Sequence, residues 1–382
     1  MEYRLISADD HIDLRYLPRT LWTERVPAAL RDRAPRVLDA DEGPVWVCGD
    51  TVWGPWGRGG GLKWALDREG DPSLADAPRP TTPHLRLADM DRDGIDASVM
   101  YGPVAPLRVE DAALRQACYA AYNDWLAEFC QVAPQRLLGV AILPADDPAL
   151  ATAELTRIAA NGLRHAVLLA AAARPPLYHP AWEPFWAAAA ETEVPIGMHL
   201  LVAPPAVHPG VMSLAAAAIN GVQVPLQLLD PLVGLIFSGV LDRHPGVRLV
   251  LAESGIGWLP YALQRMDNEY RKLAEVRAHW EARGGFPLQL RPSEYFRRQV
   301  WATFQDDAVG LALLDTIGAD RVMWASDYPH PDSTWPHSRA VIARQMGHLP
   351  AATVRRLTCD NARTLYRLGT EVRPNPLGVP QA

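Results

Sequence analysis

The apolar residues of this chain fall into eight short runs, and polar side chains follow most of them closely. Several runs are continuously hydrophobic instead of alternating, which is typical of parallel β-strands that helices cover on both faces. We therefore predict eight strands: Tyr3–Ala8, Ala97–Tyr101, Leu137–Leu143, His165–Ala170, Pro195–His199, Val247–Glu253, Val300–Phe304 and Val322–Asp327.

Segments with helical character separate the predicted strands. Asp111–Val132 is amphipathic, Pro180–Thr192 begins with a proline in its first turn, and Gly257–Arg277 is long. Asp306–Ile317 opens with two aspartates, which suit a helix N-terminus. Eight strands that alternate with helices predict an α/β fold, a single (β/α)8 TIM barrel over residues 1–382.

Two long connections interrupt the alternation. Residues 14–87 replace the first helix and form a predicted rim insertion rich in tryptophan, glycine and proline, and residues 201–228 follow the fifth strand. Long connections in a compact domain are usually lids, binding loops or oligomer contacts. The tryptophans of the insertion either pack a small subdomain or wall an apolar substrate pocket, and the sequence leaves both open. They are Trp22, Trp46, Trp53, Trp56 and Trp64, with the glycine-rich stretch Gly57–Gly61 among them.

Composition narrows the class of protein. Of 382 residues, 49% are hydrophobic and 21% charged, so a large core is available. The formal net charge of −7 argues against nonspecific nucleic-acid binding. Four scattered cysteines form no Cys-x-x-Cys pair, the N-terminus shows no secretory pattern, and the most apolar stretch, Pro231–Leu241, is too short to cross a membrane. We expect a cytoplasmic protein that binds a small molecule, and neither a nucleic acid nor a membrane.

Polar side chains at the ends of distant strands supply the candidate chemistry. Asp9 and His11 share one face of the first strand, because strand side chains alternate with a period of two. Asp10 and Asp13 are expected to point away or to cap loops. His199 ends the fifth strand, and in a closed barrel it would face the same mouth as Asp9 and His11.

The sixth and eighth strands add further candidates. Glu253 ends the sixth strand, and a buried glutamate needs a cation or hydrogen-bonding partners to stay charged. Asp327 ends the eighth strand, next to strand one once a barrel closes. Two prolines flank His330 and fix its placement, so we predict that His330 is a second metal ligand, a partner of Asp327 or a turn residue.

Three segments carry a family resemblance: Ile6–His11, Leu251–Pro260 and Met323–Asp332. They resemble the signatures of the amidohydrolase-related family, the branch of the amidohydrolase superfamily that includes aminocarboxymuconate semialdehyde and resorcylate decarboxylases. The resemblance implies a (β/α)8 barrel, often dimeric, that holds a divalent metal, usually zinc or manganese. It also implies a ligand set, which maps here to Asp9, His11, His199 and Asp327.

Glu253 departs from that pattern, because the decarboxylases carry a histidine at the end of the sixth strand. A carboxylate can bridge two cations, whereas an imidazole normally cannot. Three carboxylates and three histidines are enough for one or two ions. We therefore count six candidate metal ligands, of which Asp327, Glu253 and His330 are also candidate catalytic residues; the set is Asp9, His11, His199, Glu253, Asp327 and His330.

Three enzymatic functions remain open at this point, besides a noncatalytic binding protein that has kept the fold. The first is a metal-dependent hydrolase that uses a metal-activated water on a small or apolar organic substrate, with Asp327 or Glu253 as the base. The second is a nonheme iron or diiron oxygenase that hydroxylates a bulky apolar intermediate. The third is a nonoxidative decarboxylase. We favour the hydrolase, with zinc or manganese as the metal, or iron in the oxygenase, and we expect a homodimer.

Overall fold

The structure is a computed structural model that describes residues 2–57, 79–201, 213–276 and 288–369. Its principal strands are parallel and form two sheets, one in the order β1-β5-β6 and one in the order β12-β11-β10-β9-β8-β7. Their bounds are Ile6–His11 (β1), Ala97–Tyr101 (β5), Leu137–Gly139 (β6), Ala141–Ile142 (β7), Ala166–Leu169 (β8), Ile196–His199 (β9), Leu249–Ala252 (β10), Val300–Phe304 (β11) and Val322–Trp324 (β12).

The two sheets adjoin at two places. At the first, only Val140 separates β6 from β7, and its N–H donates to the carbonyl of Met100 on β5 at 2.9 Å, so the chain itself connects the sheets there. At the second, the N–H of Asp327 donates to the backbone carbonyl of Asp9 at 2.9 Å, and the N–H of His11 donates to the backbone carbonyl of Tyr328 at 2.7 Å. Residues that follow β12 are thereby fixed beside β1, although more than 300 positions separate them in the chain.

Helices connect the strands and cover their outer faces. The α-helices are α1 (Leu21–Arg25), α2 (Pro83–Asp93), α3 (Ala112–Gln131), α4 (Pro148–Ala160), α5 (Glu183–Thr192), α6 (Ser213–Gln223), α7 (Leu229–Phe237), α8 (Val240–Arg243), α9 (Leu259–Glu275), α10 (Pro292–Gln299), α11 (Ala308–Ala312), α12 (Leu314–Ile317), α13 (Ser338–Met346), α14 (Ala351–Arg355) and α15 (Asn361–Leu365). The predicted helix Asp306–Ile317 is divided, because Leu313 leaves helical geometry between α11 and α12.

A third sheet lies in the predicted insertion. Its antiparallel strands are β2 (Arg36–Ala40), β3 (Gly43–Cys48) and β4 (Thr51–Pro55). Trp22 and Trp46 are buried edge to face, with ring centroids 4.8 Å apart, and belong to the main hydrophobic core. Trp53 also packs edge to face against Trp22 but keeps part of its surface open. The prediction for Trp64 and most of Gly57–Gly61 lies outside the described residues.

All eight predicted strands lie on strands of the two parallel sheets, with small shifts in their ends. The largest shift is at β1, which was predicted at Tyr3–Ala8 and instead runs through Asp9, Asp10 and His11. These polar residues remain in the strand because neighbouring side chains and backbone groups contact them in the interior. Burial therefore does not follow hydrophobicity at this point of the chain.

One helical stretch is longer than the sequence suggested. Ala218–Phe237, which includes the end of α6 and all of α7, is 20 residues long and apolar enough to cross a membrane by length and composition. Of its most apolar part, 33% is buried. A core helix of a globular protein meets the same criterion. Within it Leu232, Leu235 and Ile236 are fully buried against the rest of the molecule.

Candidate metal centre

Four elements bring the candidate ligands to one edge of the parallel strands. Asp9 and His11 lie on β1 and His199 is the last residue of β9, and each is almost completely buried. Glu253 follows β10 and Asp327 follows β12. The carboxyl ends of parallel strands meet at one edge, which explains why residues so distant in sequence converge.

Glu253 and Asp327 both have left-handed backbone conformations, with φ of 52° and 61°. A residue other than glycine costs roughly 1–3 kcal/mol in this region, so the surrounding contacts have to enforce it. The N–H of Glu253 donates to Asp9 Oδ2 at 2.8 Å and to Thr303 Oγ1 at 2.8 Å. These left-handed conformations direct the carboxylates of Glu253 and Asp327 back toward β1 and not along the direction of their strands.

Nitrogen and oxygen atoms of these side chains surround a small volume. His11 Nε2 lies 3.1 Å from Asp327 Oδ1, 3.3 Å from Glu253 Oε2 and 3.6 Å from Asp9 Oδ1. His199 Nε2 lies 3.2 Å from the same Glu253 oxygen and 3.9 Å from Asp9 Oδ1. Glu253 Oε2 is thus close to both imidazoles.

Five of these buried atoms have no hydrogen-bond partner among the residues that the structure describes: Asp9 Oδ1, His11 Nε2, His199 Nε2, Glu253 Oε2 and Asp327 Oδ1. Buried polar atoms are rarely unpaired in folded proteins, and here five of them face one another. Imidazole nitrogens and carboxylate oxygens are ligands of zinc, manganese and iron. The donor set therefore fits a divalent cation.

Contacts on the far side of the ligands support the same assignment. His199 Nδ1 lies 2.8 Å from the carbonyl of Leu200, so Nδ1 carries the proton and Nε2 presents its lone pair to the cluster. Asp9 Oδ2 accepts from Thr303 Oγ1 at 2.9 Å, which leaves its Oδ1 for the interior. The ligand atoms fall into two overlapping groups, Asp9–His11–His199 and His11–Glu253–Asp327–His330.

Burial and charge shift the pKa values of the cluster in opposite directions. Burial raises the pKa of Asp9 to about 7, although His199 and His11 oppose this shift. Burial also raises the pKa of Glu253, but the neighbouring imidazoles of His11 and His199 outweigh it and the net pKa is well below its ordinary value. A cation that binds here would have to displace protons from the cluster.

His330 lies within the candidate metal centre, and each of its ring nitrogens contacts a carboxylate oxygen. Its Nδ1 is 3.0 Å from Asp327 Oδ2, its Nε2 is 3.3 Å from Asp13 Oδ2, and its ring stacks on His11 with centroids 4.0 Å apart. Of the three roles open to it, this geometry agrees best with a partner of Asp327. Asp13 was expected to point away, and it instead faces the site; Asp10 does point away.

Two cavities open from the cluster, and Glu253 and Asp332 border both. One has a volume of about 460 Å³ and is lined by Leu14, Arg15, Trp53 and Val104. The other has a volume of about 490 Å³ and is lined by Leu200, Val224, Leu226 and Trp258. Of the tryptophans in the insertion, Trp53 therefore lines a cavity next to the ligands, whereas Trp22 and Trp46 form core.

Comparison with known proteins assigns the family. The family model described as amidohydrolase matches residues 24–368. The chain belongs to the amidohydrolase family. The resemblance inferred from three short motifs is thereby confirmed, and the similar proteins lie in the decarboxylase branch of this superfamily.

Relatives of this amidohydrolase include characterised decarboxylases. It is 27% identical over 295 residues to a gamma-resorcylate decarboxylase of Rhizobium sp. (strain MTP-10005), which covers 71% of this chain and 85% of that protein. An amidohydrolase of Mycobacterium avium subsp. paratuberculosis has the same fold, with a TM-score of 0.73, 23% identity and coverage of 96% of this chain and 100% of that one.

A third similar protein was solved with a metal. The dihydroxybenzoic acid decarboxylase of Polaromonas sp. JS666 contains manganese and the inhibitor 2-nitroresorcinol. Its TM-score is 0.61 at 19% identity, and the match covers 96% of this chain and 98% of that one. At this identity the likeness supports the shared fold of the amidohydrolase, and its manganese is a property of that protein.

Proposed function

We propose that this amidohydrolase is a metal-dependent nonoxidative decarboxylase of a small aromatic carboxylic acid. The observation that carries the proposal is that five buried atoms able to ligate a metal converge beside a cavity and have no hydrogen-bond partner among the described residues. Similar members of the family are decarboxylases of aromatic acids. The hydrolase favoured from sequence has less support, because the similar enzymes with named reactions are decarboxylases.

The proposed architecture is one closed (β/α)8 barrel, with residues 14–87 as a rim insertion and residues 1–382 as a single domain. Two connections between the parallel sheets support a closed barrel: the chain through Val140, and the hydrogen bonds between β1 and the residues that follow β12. Strand ends of such a barrel form the floor of its active site, which agrees with the position of the ligand cluster.

Asp9, His11, His199 and Asp327 would hold the metal, with manganese favoured by analogy with the similar enzymes. A bound divalent cation supplies a Lewis acid that orients the substrate carboxylate and neutralises its charge. The chain itself supplies the remaining functions. The cavity of about 460 Å³ is large enough for one aromatic ring, and Trp53 and Leu14 provide apolar walls.

Decarboxylation leaves an electron pair on the ring carbon as carbon dioxide departs, and a proton has to reach that carbon. Glu253 borders the cavity, and Asp327 Oδ1 lies 3.1 Å from His11 Nε2 within the cluster, so we propose that these two carboxylates relay the proton to the ring. His330 holds Asp327 Oδ2 and leaves Oδ1 directed to the cluster. Proton transfer by a positioned side chain contributes typically about 10²- to 10⁴-fold in rate.

The direct test uses metal-reconstituted protein and a panel of hydroxybenzoic acids. We expect loss of substrate absorbance, release of carbon dioxide, and one solvent deuterium in the product ring when the reaction runs in heavy water. Asp327→Asn should abolish all three signals. Hydrolysis of an ester or lactone panel without any decarboxylation would refute the proposal in favour of the hydrolase.

A dinuclear site is the second candidate, and one observation favours it. Glu253 Oε2 lies 3.2 Å from His199 Nε2, which belongs to one ligand group, and 3.3 Å from His11 Nε2, which belongs to both. That is a suitable position for a bridging carboxylate, as a diiron oxygenase would require.

Metal analysis of protein purified without chelator separates the two candidates. One manganese or zinc per chain supports the decarboxylase, whereas two irons per chain and oxygen consumption with an apolar substrate support the oxygenase. The predicted homodimer is checked by sedimentation of the same sample.

A further inference from the structure

A second buried network lies behind the metal centre, on the opposite face of β1. Its centre is Asp10, which is 2% exposed. Asp10 Oδ1 accepts from Ser7 Oγ at 2.7 Å, from Ser326 Oγ at 2.7 Å and from the N–H of Tyr328 at 3.1 Å. Ser98 Oγ donates to its other oxygen. One carboxylate thus joins β1 to the segment after β12.

Two of these donors flank the ligand Asp327 in sequence. Ser326 precedes it and Tyr328 follows it, so Asp10 contacts the side chain of Ser326 and the backbone of Tyr328, on either side of the residue with a φ of 61°. Ser7 Oγ accepts from the N–H of Ser326 at 2.8 Å, which adds a further connection between the same segments. The strained conformation that directs Asp327 to the cluster therefore depends on contacts with Asp10.

The same network also reaches His11. Arg86 is fully buried, lies 3.8 Å from Asp10, and donates to the carbonyl of His11 at 2.9 Å. Its other nitrogen donates to Ser98 Oγ at 3.2 Å. Asp10 and Arg86 consequently contact the backbone at or beside two ligands whose side-chain atoms are 3.1 Å apart.

We propose that Asp10 is a positioning residue for the metal centre. It contacts neither substrate nor metal, and it acts through Ser326 and Tyr328 to place Asp327 against His11. This inference rests on the proposed metal site but not on the reaction. Outer partners of metal ligands commonly change metal affinity by about 10- to 100-fold when they are substituted.

The test compares Asp10 with Asp93, a second buried aspartate that accepts a hydrogen bond from a serine hydroxyl. Asp93 accepts from Ser338 N at 2.9 Å and from Ser338 Oγ at 2.5 Å, and Ser338, unlike Ser326, is not next to a candidate ligand in sequence. We expect Asp10→Asn to weaken Mn²⁺ binding by about 10- to 100-fold, measured by chelator competition on folded protein. Asp93→Asn should destabilise the fold in urea and leave the Mn²⁺ dissociation constant unchanged.

A second pair of variants keeps the inference testable if Asp10→Asn does not fold. Ser326→Ala and Ser98→Ala each remove one hydroxyl from the same carboxylate, but only Ser326 is next to Asp327. We expect weaker Mn²⁺ binding in Ser326→Ala than in Ser98→Ala at similar stability.

Equal affinities in these two serine variants, or an Asp10→Asn affinity within twofold of the wild type, would overturn the positioning role alone. A wild-type protein that binds none of Mn²⁺, Zn²⁺ and Fe²⁺ would overturn the proposed function as well.

Discussion

Glu253 distinguishes this centre at the level of single residues. At the end of β10 a carboxylate lies between His11 and His199. A buried carboxylate supplies both negative charge for a cation and a group that can exchange a proton. We therefore propose that Glu253 takes part in the reaction and not only in the fold.

Glu253→Gln tests that role. The amide keeps the volume but neither bridges cations as a carboxylate does nor exchanges a proton, so we expect turnover to fall by about 100-fold or more. Turnover by metal-reconstituted protein is the measurement, and Glu110→Gln at an exposed position is the control. Full activity in Glu253→Gln would remove Glu253 from the mechanism, and Glu253→His with unchanged metal content and turnover would eliminate the dinuclear candidate.

Asp13 and His330 form a second residue-level prediction. Burial raises the pKa of Asp13, but His330 outweighs it and the net pKa falls to about 2, so the pair is ionic in the absence of a metal. If both act by holding Asp327, then Asp13→Asn and His330→Gln should each lower kcat by about 10-fold, and the double variant should be no slower than the slower single one. Additive losses in the double variant would show independent roles.

Sequence reasoning recovered six residues that the structure brings together, because strand alternation and strand ends constrain side-chain direction. It did not find that Asp13 faces the site, since Asp13 follows β1 and no periodicity applies beyond a strand. Thr303 contacts Asp9 from β11 and had no sequence signal, because a threonine in a strand is ordinarily a structural residue.

Elements were predicted more reliably than their ends. The eight predicted strands fall on the nine parallel strands of the described residues, because Leu137–Leu143 is divided into β6 and β7. Strand β1 extends through Asp9, Asp10 and His11 because buried partners replace water there. The left-handed turns at Glu253 and Asp327 could not be predicted, since these conformations normally favour glycine. Tertiary hydrogen bonds enforce them, and a local pattern does not contain that information.

Helix α4 offers a test of an ordinary element. The side chain of Asp147 accepts from Leu150 N at 3.0 Å and caps the helix, whereas Asp146 makes no such bond. Asp147→Ala should lower the free energy of unfolding by about 1 kcal/mol in urea titrations. Asp146→Ala is a matched control, because Arg115 lies near both carboxylates. If Asp147→Ala and Asp146→Ala lost the same free energy of unfolding, the effect would come from the charge and not from capping.

At the scale of the whole molecule, the alternation of strands and helices indicated the fold class from sequence. The family match and the similar solved structures agree with it. The space above the ligands was not predictable, because the cavities are formed by loops from several parts of the chain. Loop conformation depends on contacts that no single segment encodes.

Acid stability is a property of the whole fold, and His165 contributes to it. Burial, followed by Arg164 and Arg367, lowers the pKa of His165 from 6.5 to about 3. The unfolded chain therefore binds a proton between pH 6.5 and 3 that the folded chain excludes. Stability from this group is complete above pH 6.5 and declines as the pH falls, by at most roughly 1.4 kcal/mol per pH unit.

His165→Phe removes the imidazole that takes up this proton on unfolding. It retains an aromatic ring against Tyr366, whose ring centroid is 4.5 Å from that of His165. Urea unfolding between pH 6 and 4 should show a shallower decline in this variant than in the wild type. His348→Gln at an exposed position should leave the wild-type slope unchanged. Parallel slopes for wild type and His165→Phe would contradict the prediction.

The order of the ligands along the chain has a consequence for biosynthesis. Asp9 and His11 leave the ribosome first, yet Asp327 appears only after more than 300 further residues. A nascent or truncated chain that ends before β12 lacks Asp327 and the contacts that β1 makes with its segment. If the proposed ligand set holds the ion, all four ligands are present only in chains that have been synthesised through Asp327, beyond the last strand.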